Sequence, residues 1–277
     1  MSVRQTQAGR SRFTAMTYDL SGKKVLVTGA SVGIGAALAK GFAERGAIVG
    51  ICARREDRLD RVLAHLQQHS PDSRSWTIDL ADLDGLAPFA ARVVDELGGV
   101  DVLVNNAGIP KRRKVTALTP DVVEAVMSIN YFSPIRLTLA LLPQLIERKG
   151  RIVNISSVAA RFGPPSEAAY AASKAALTAW SESMQVDLGL ADTGVLVHVV
   201  NPGVIDTDLF HLPDNDESMA DIEALPVEAM VQPVVDQLSS GLFELYVPEY
   251  MNEVAKGKAA DTGAFLQNSI QWAKSKA

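Results

Sequence analysis

From Lys24 onward, short apolar runs alternate with longer segments of helical periodicity, and this alternation restricts the possible folds more than any other feature. It is typical of repeated strand and helix units that build a parallel sheet. The runs predict seven strands, at 24–28, 47–52, 75–79, 100–105, 151–156, 195–200 and 242–247. Helices are predicted at 33–45, 56–68, 82–97, 119–149, 166–189 and 226–240. Most strands are apolar at consecutive positions, which indicates a doubly wound α/β fold with helices on both faces.

The strand and helix series continues without a repeat or linker, so one domain over residues 21–250 is predicted. Within it, residues 206–225 are acidic and weakly periodic, and we interpret them as a substrate lid over one end of the sheet. Residues 251–277 form a tail or helix that is expected to contact another subunit or to stay loose, with a membrane surface as the alternative.

Residues 1–20 resemble a transit peptide in composition, because they carry three arginines and lack acids before Asp19. The preferred interpretation is a disordered leader, or an upstream start with Met16 as the alternative start. Cys52 is the single cysteine of the chain, which fits a reducing compartment, and the expected location is the cytoplasm. No transmembrane segment is expected, since apolar runs such as 137–142 fall short of the roughly 20 residues that span a bilayer.

The charge balance argues against a nucleic-acid partner. The 277 residues include 27 basic and 32 acidic side chains, for a net charge of −5. A basic patch large enough for phosphate-backbone binding is not expected from this composition.

A glycine-rich segment, TGASVGIG, directly follows the first predicted strand and opens the first helix. Gly29, Gly33 and Gly35 allow a sharp turn, and the exposed helix N-terminus attracts a pyrophosphate. The alternative is a tight turn without a ligand, because the spacing GxxxGxG differs from the common GxGxxG dinucleotide motif.

Two arginines follow the second predicted strand, where Arg54 and Arg55 come after Ala53 and before Glu56. Folds that bind NAD place an acid here for the ribose hydroxyls, whereas an arginine accommodates the 2′-phosphate of NADP. The sequence therefore predicts an NADP(H) pocket. The alternative is a solvated helix start, the usual location of charge runs.

Tyr170 and Lys174 lie one helical turn apart among alanines, in AAYAASKAALT. A lysine ammonium favours phenolate, which brings tyrosine closer to the range of a general acid and base. The small alanine side chains beside them leave room for a flat nicotinamide ring and a substrate carbonyl. The alternative is an ordinary surface pair on a helix.

Polar residues stand at three predicted strand ends and in one helix. Ser156 and Ser157 end one strand, while Asn105 with Asn106 and Asn201 with Pro202 end two others. Ligands bind at this edge of parallel sheets. Asn130 lies inside a helical pattern, where a side-chain amide competes with the backbone, so a local distortion is expected.

A metal site is not predicted. The histidines, His65, His69, His198 and His211, are scattered along the chain. His65 and His69 have i, i+4 spacing, but their helix lacks the companion glutamate of an HExxH motif.

Together these residues resemble the short-chain dehydrogenase/reductases over about residues 20–205. The motifs are TGASVGIG at 28–35, DL at 79–80, NNAG at 105–108, Asn130, Ser157 thirteen residues before Tyr170, YAASK and NPGVIDT at 201–207. The resemblance implies a single-domain Rossmann fold with strand order 3-2-1-4-5-6-7, and a tetramer or dimer formed through the helices at 119–149 and 166–189.

The resemblance also implies roles for individual residues. Tyr170 is the general acid in reduction or base in oxidation, Lys174 lowers the pKa of Tyr170 and binds the nicotinamide ribose, Ser157 bonds the reacting oxygen, and Asn130 holds a relay water. Asp79 contacts adenine, and Ile205 and Thr207 border the carboxamide. The full cofactor set is Gly29, Ser31, Val32, Gly33, Ile34, Gly35, Arg54, Arg55, Asp79, Leu80, Asn106, Ala107, Gly108, Tyr170, Lys174, Pro202, Gly203, Ile205 and Thr207.

The expected function is hydride transfer between NADP(H) and a ketone or secondary alcohol. Many NADP(H)-dependent relatives carry a basic residue where this chain has Val32, so an NAD(H)-preferring enzyme is an alternative. A non-catalytic nucleotide-sensing protein on the same fold is another. Leu209, Phe210 and Leu212 in the lid would suit an apolar ketone. The basic segment KRRK at 111–114 is interpreted as a solvated loop, with an acidic substrate as the alternative.

Overall fold

The computed structural model describes residues 18–211, 214–216 and 223–276. The predicted leader lies almost entirely outside these residues. So do parts of the predicted lid, including Leu212 and the side chains of Phe210 and His211.

The described residues contain seven parallel strands that form one sheet. Their order is β3-β2-β1-β4-β5-β6-β7, which confirms the predicted doubly wound α/β class and strand order. The strands are β1 Lys24–Thr28, β2 Ile48–Ala53, β3 Arg74–Thr77, β4 Val102–Asn105, β5 Arg151–Ile155, β6 Leu196–Pro202 and β7 Glu244–Val247. The predicted strands shift by a few residues at their ends, because apolar runs continue into turns beyond the sheet hydrogen bonds.

Helices between the strands cover both faces of the sheet, and two further helices follow β7. They are α1 Gly33–Ala43, α2 Glu56–His69, α3 Leu86–Leu97, α4 Pro120–Met127, α5 Ser133–Glu147, α6 Ala159–Phe162, α7 Ala168–Leu190, α8 Val231–Ser240, α9 Met251–Ala260 and α10 Thr262–Lys276. The short helix α6 is not predicted by the sequence pattern, and neither is the division of the tail into α9 and α10.

The core consists of two apolar layers, one on each face of the sheet. The first joins β1 and β2 to Phe42 of α1, Leu59 of α2 and Val234 of α8. The second joins the sheet to Phe89 of α3 and Leu141 of α5, together with α7. Because both faces are covered, the strands are apolar at successive positions. Each fully buried large side chain contributes about 1.5–3 kcal/mol.

The helix predicted at 119–149 is interrupted where Asn130 lies. Residues Ser128–Phe132 form one turn of π-helix between α4 and α5, so the distortion expected from a mid-helix amide is present. Such turns are frequent at functional sites.

This interrupted helix bears on the expectation that no transmembrane segment is present. Pro120–Glu147 spans 28 residues, and a window of it with a mean hydropathy of 1.3 is apolar enough to cross a membrane by length and composition. The uninterrupted apolar runs inside it, such as 137–142, are much shorter. Core helices pass the same test, and Leu137, Leu141 and Leu145 of this helix belong to the second apolar layer.

A crevice forms where the strand order reverses. β1 pairs with β2 on one side and with β4 on the other. The connections after β1 and β4 therefore leave toward opposite sides, which opens space at the carboxyl ends of these strands. This is the position at which open parallel sheets bind ligands.

Candidate active site

A cavity of about 930 Å³ lies at the carboxyl ends of the strands. It extends from the glycine-rich turn and the end of β2, past Tyr170, to the C-terminal helices. Most predicted site residues line it: Gly29, Ser31, Val32, Gly33, Ile34, Arg54, Arg55, Asp79, Leu80, Asn106, Ala107, Gly108, Ser157, Tyr170, Lys174, Pro202, Gly203, Ile205 and Thr207. Gly35 and Asn130 are not among the lining residues.

The glycine-rich turn presents a bare helix N-terminus to the cavity. Gly29 has a φ of +65°, and a Cβ there would lie 2.7 Å from Ala107 Cα, so a side chain would displace the strand end. Helix α1 has no side-chain cap at Val32 and no acid in its first turn. Its free N–H groups and positive dipole end therefore fit an anionic group such as a pyrophosphate.

Gly35 packs the turn and is not among the residues that line the cavity, so its predicted role in cofactor binding stays a prediction. A Cβ at this position would lie 2.4 Å from Asn106 Nδ2 and 2.7 Å from the Gly29 carbonyl oxygen. Asn106 donates from the same amide nitrogen to the Thr28 carbonyl oxygen at 2.9 Å. The glycine therefore lets Asn106 join the end of β4 to the turn after β1.

Arg54 and Arg55 are exposed side chains at the nucleotide end of the cavity. Arg55 Nη2 donates to Ser31 Oγ at 3.4 Å, so this guanidinium lies directly beside the glycine-rich turn. The turn itself has the apolar Val32 at the position where many NADP(H)-dependent relatives carry a basic residue. Arg55 thus places positive charge there from the neighbouring strand end.

Tyr170 is partly buried near the N-terminus of α7, inside the cavity. Burial raises the pKa of its phenol to about 12, and the negative charge of Glu167 adds to the increase. A hydrogen bond with Ser157 and the positive charge of Arg112 oppose this increase and lower the pKa of Tyr170. The phenol is therefore protonated at neutral pH, the state that a general acid requires.

Lys174 is buried, and its ammonium points to the end of β5. Nζ donates to the Ile155 carbonyl oxygen at 2.8 Å and lies 5.7 Å from the centre of the Tyr170 ring. Burial lowers the pKa of Lys174 to about 8. The predicted lowering of the Tyr170 pKa by Lys174 stays a prediction.

The two serines after β5 have different surroundings. Ser156 Oγ donates to the Lys174 carbonyl oxygen at 3.1 Å and pairs with Thr178 Oγ1 at 2.9 Å, so it fastens α7 to the sheet. Ser157 lines the cavity and is the serine that bonds Tyr170.

Asn130 is buried behind the cavity wall. Its Oδ1 accepts from Ile109 N at 2.9 Å, and its Nδ2 donates to the Ile109 carbonyl oxygen at 3.0 Å and to Ser173 Oγ at 3.0 Å. The π-turn thus directs an amide that fixes the loop after β4 against α7. Its predicted role with a relay water stays a prediction.

Arg112 and Glu167 are site residues that the sequence analysis missed. Arg112 is 2% exposed and lines the cavity, so the interpretation of 111–114 as a solvated loop is wrong for this residue. Its Nε donates to the Asp216 carbonyl oxygen at 3.0 Å. Burial raises the pKa of Glu167, while the charge of Arg112 opposes the increase. Nothing in the sequence indicates that Arg112 is buried, because its three neighbours Lys111, Arg113 and Lys114 are also basic and the four together have the pattern of an exposed charge run.

The basic segment 111–114 binds the acidic part of the lid. Lys111 and Arg113 both form ion pairs with Asp214, and the Lys114 N–H donates to Asp216 Oδ2 at 2.9 Å. The charge run therefore holds residues 214–216 against the loop after β4, which neither of its two sequence interpretations anticipated.

The C-terminal tail forms part of the cavity wall and is not loose. Tyr250, Met251, Val254 and Trp272 line the cavity, beside Phe162 and Leu209. The Phe265 ring of α10 lies 6.0 Å from the Phe162 ring of α6. The tail thus adds an apolar surface at the end of the cavity away from Arg54.

The sheet order, the glycine-rich turn and the tyrosine and lysine pair define a protein of the doubly wound α/β class with a ligand site at the strand ends. The family model described as short chain dehydrogenase matches residues 23–218, and the chain belongs to this family. It is thus a member of the short-chain dehydrogenase/reductases.

Relatives with curated names support the same assignment. The chain is 40% identical over 205 residues to "Dehydrogenase/reductase SDR family protein 7-like" of Drosophila melanogaster, covering 72% of this chain and 62% of that protein. It is 33% identical over 232 residues to "3-oxoacyl-[acyl-carrier-protein] reductase FabG" of Vibrio cholerae, covering 83% and 92%. The chain spans about three fifths of the length of the 7-like and 7B relatives from fly, mosquito and rat.

Solved structures share the fold. A short chain dehydrogenase from Burkholderia cenocepacia, in complex with NADP, has 31% sequence identity and a TM-score of 0.77, covering 91% of this chain and 98% of that chain. A family member from Burkholderia phymatum, in complex with NAD, has a TM-score of 0.81 over 88% of this chain and 95% of that chain, at 19% identity.

Proposed function

We propose that the protein is an NADP(H)-dependent carbonyl reductase that also oxidises the corresponding secondary alcohol. The observation that carries this proposal is the grouping of Tyr170, Ser157 and Lys174 within one cavity that begins at a bare helix N-terminus. A non-catalytic nucleotide sensor would not need these groups together.

The protein residues supply the proton and orient the substrate. A bound nicotinamide would supply the hydride. Ser157 is placed to hydrogen-bond the carbonyl oxygen, and Tyr170 to give that oxygen its phenolic proton, which its high pKa retains at neutral pH. Lys174 and Arg112 contribute positive charge where negative charge develops on the oxygen and phenol. In alcohol oxidation Tyr170 takes the proton back.

The proposed preference for NADP(H) is supported by Arg54 and Arg55. Both line the nucleotide end of the cavity, and no acid lies at the end of β2 to bond ribose hydroxyls. Guanidinium groups are forked donors that suit a phosphate. Arg55 is already held against the glycine-rich turn by Ser31, so less ordering is needed on binding.

Replacing Arg54 and Arg55 together by alanine is expected to weaken NADPH binding about 10- to 100-fold. Charge-assisted hydrogen bonds of this kind contribute about 1.5–3 kcal/mol. NADH lacks the 2′-phosphate, so its dissociation constant should change by less than about threefold. Fluorescence titration with both cofactors measures the two constants.

Arg61 provides the matched control. It is exposed on α2, the helix that begins directly after Arg55, and it does not line the cavity. The Arg61→Ala protein should bind NADPH as the wild type does. Equal binding of NADPH and NADH by the wild type, or equal losses for both cofactors in the double variant, would contradict the preference.

We propose an apolar ketone as the substrate, with the C-terminal helices as one wall of its site. Tyr250, Met251, Val254 and Trp272 supply this wall, and Leu209 approaches from the lid. Apolar walls with a few polar groups at the reacting atom are typical of small-molecule sites. The proposed selectivity therefore depends on the tail as well as on the lid.

Replacing Trp272 by alanine is expected to raise KM for a bulky apolar ketone about 10-fold. An aromatic side chain that a ligand covers contributes about 1–2 kcal/mol through buried area. The dissociation constant of NADPH should not change, because Trp272 is at the other end of the cavity. Steady-state kinetics on a panel of ketones of increasing size measures the effect.

Leu266→Ala is the matched control on α10, since Leu266 is exposed and does not line the cavity. If both variants change KM equally, the effect reflects helix stability and the wall assignment is wrong. An unchanged KM in Trp272→Ala for every active ketone would also contradict it.

We further propose a homo-oligomer that forms through α5 and α7. Leu139 and Ile146 of α5, and Val186 and Leu190 of α7, are exposed apolar side chains on the two helices expected to meet a second subunit. Burying such a patch stabilises association. A cytoplasmic location is proposed as well, supported by Cys52, which is buried as a free thiol.

A further inference from the structure

Glu44, His65 and His69 form a cluster of potential metal ligands outside the active site. His65 and His69 lie one turn apart near the C-terminal end of α2, and Glu44 follows the last residue of α1. None of the three lines the cavity. Because α1 and α2 run antiparallel to the strands, their C-terminal ends lie at the edge of the sheet opposite the active site.

The three side chains converge closely enough to share one ion. Their ligand atoms all lie within 4.8 Å of one another, and His65 Nε2 is 3.5 Å from Glu44 Oε1. Zinc bonds to imidazole nitrogen at about 2.0–2.1 Å and to carboxylate oxygen at about 2.0–2.2 Å, which sets ligand atoms about 3.4 Å apart in a tetrahedron. His65 Nε2 and Glu44 Oε1 already have about this separation, and the other ligand atoms need only a small side-chain adjustment to reach it.

The His65 ring nitrogen gives a further indication that a ligand belongs here. Nε2 of His65 is shielded from solvent and makes no hydrogen bond within the described residues, and the Glu44 carboxylate lies beside it at 3.5 Å. Coordination of a cation would satisfy this nitrogen and compensate the Glu44 carboxylate beside it.

The ligand types favour a zinc-like ion. Imidazole suits Zn²⁺, Cu²⁺ and Ni²⁺, whereas Mg²⁺ and Ca²⁺ prefer sites made entirely of oxygen. Three protein ligands leave one tetrahedral position for water. The His69 and Glu44 side chains are exposed, so a hydrated ion has direct access.

We propose that Glu44, His65 and His69 form a site for a zinc-like divalent transition metal that joins the end of α1 to α2. The metal has a structural role, because the cluster is separate from Tyr170 and the cavity. The sequence analysis predicted no metal site since the carboxylate comes from a different helix and not from an HExxH motif.

A zinc titration of the metal-free, tag-free chain tests the proposal. Binding to the folded state alone raises the midpoint of thermal unfolding, by roughly 5 °C or more when free Zn²⁺ is about 100 times its dissociation constant. The same concentration of Mg²⁺ should give no shift. Replacing Zn²⁺ by Co²⁺ should produce the visible absorption of a four-coordinate ion with nitrogen and oxygen ligands.

Two ligand variants and one control variant assign the effect to this cluster. His69→Gln and Glu44→Gln change exposed side chains, so both proteins are expected to fold and to lose the zinc-dependent shift and the Co²⁺ absorption. Glu56→Gln, an exposed acid at the other end of α2, should retain both. A shift of equal size in His69→Gln, or no shift in the wild type at millimolar Zn²⁺, would overturn the proposal.

Discussion

Replacing Tyr170 by phenylalanine is expected to lower kcat for ketone reduction about 10²- to 10⁴-fold, the usual contribution of a positioned general acid. The substitution removes the proton that the carbonyl oxygen must receive. It also removes the hydrogen bond with Ser157, whose Oγ still accepts from the Ala159 backbone N–H at 3.1 Å. The ring itself stays, so packing near the N-terminus of α7 is retained.

Cofactor binding separates this chemical effect from misfolding. The dissociation constant of NADPH should stay within about threefold, because the glycine-rich turn and Arg54 are distant from the phenol oxygen. Tyr250→Phe is the matched control, as Tyr250 lines the same cavity with a more exposed ring. Turnover of every accepted ketone at the wild-type rate by Tyr170→Phe would show that this phenol is not the acid.

Replacing Lys174 by methionine is expected to lower kcat about 10²- to 10³-fold and to raise stability at neutral pH. The activity falls because one preorganised positive charge at the reaction centre is lost. Stability rises because burial lowers the pKa of Lys174 from 10.5 to about 8, so the folded protein holds an unfavourable buried charge below that pH. The corresponding free-energy cost is about 3 kcal/mol.

The pH dependence of this stability difference has a defined sign. Below about pH 8 the amine is protonated in both states, and the full cost of the buried charge is present. Between about 8 and 10.5 the unfolded chain binds more protons than the folded chain, so the wild type gains stability as pH rises. The advantage of the methionine variant should therefore disappear toward pH 10.5.

Thermal unfolding of both proteins at pH 7 and pH 10 measures this difference. Lys256→Met, at an exposed lysine of α9, is the control and should show no comparable pH-dependent gain. A methionine variant that is less stable than the wild type at pH 7 would show that the bond to the Ile155 carbonyl outweighs the desolvation cost.

The arrangement of the sheet was predictable from local patterns. Runs such as 24–28 and 151–155 are apolar at successive positions, which occurs when helices cover both faces of a strand. Alternation of such runs with helical segments leaves few connected topologies, since parallel crossovers are right-handed and short. The residue at which each strand ends was less predictable, because the apolar sequence continues beyond the last hydrogen bond between neighbouring strands.

The active-site candidates were predictable where their chemistry depends on neighbours in sequence. Gly29 belongs to a strand and helix turn, and Tyr170 and Lys174 share one helix face, so spacing alone brings them together. The direction of the Lys174 ammonium was not predictable. Its partner, the Ile155 carbonyl oxygen, becomes available only when β5 ends beneath α7.

The sequence by itself determined the elements, their parallel order and the residue types at the strand ends, because periodicity and turn chemistry are properties of adjacent residues. Only the tertiary structure decided that Arg112 is buried, that Trp272 reaches the cavity and that Glu44 meets His65 and His69. These contacts join segments that are distant in sequence. Their existence depends on how the chain returns across the sheet, and no local pattern encodes that path.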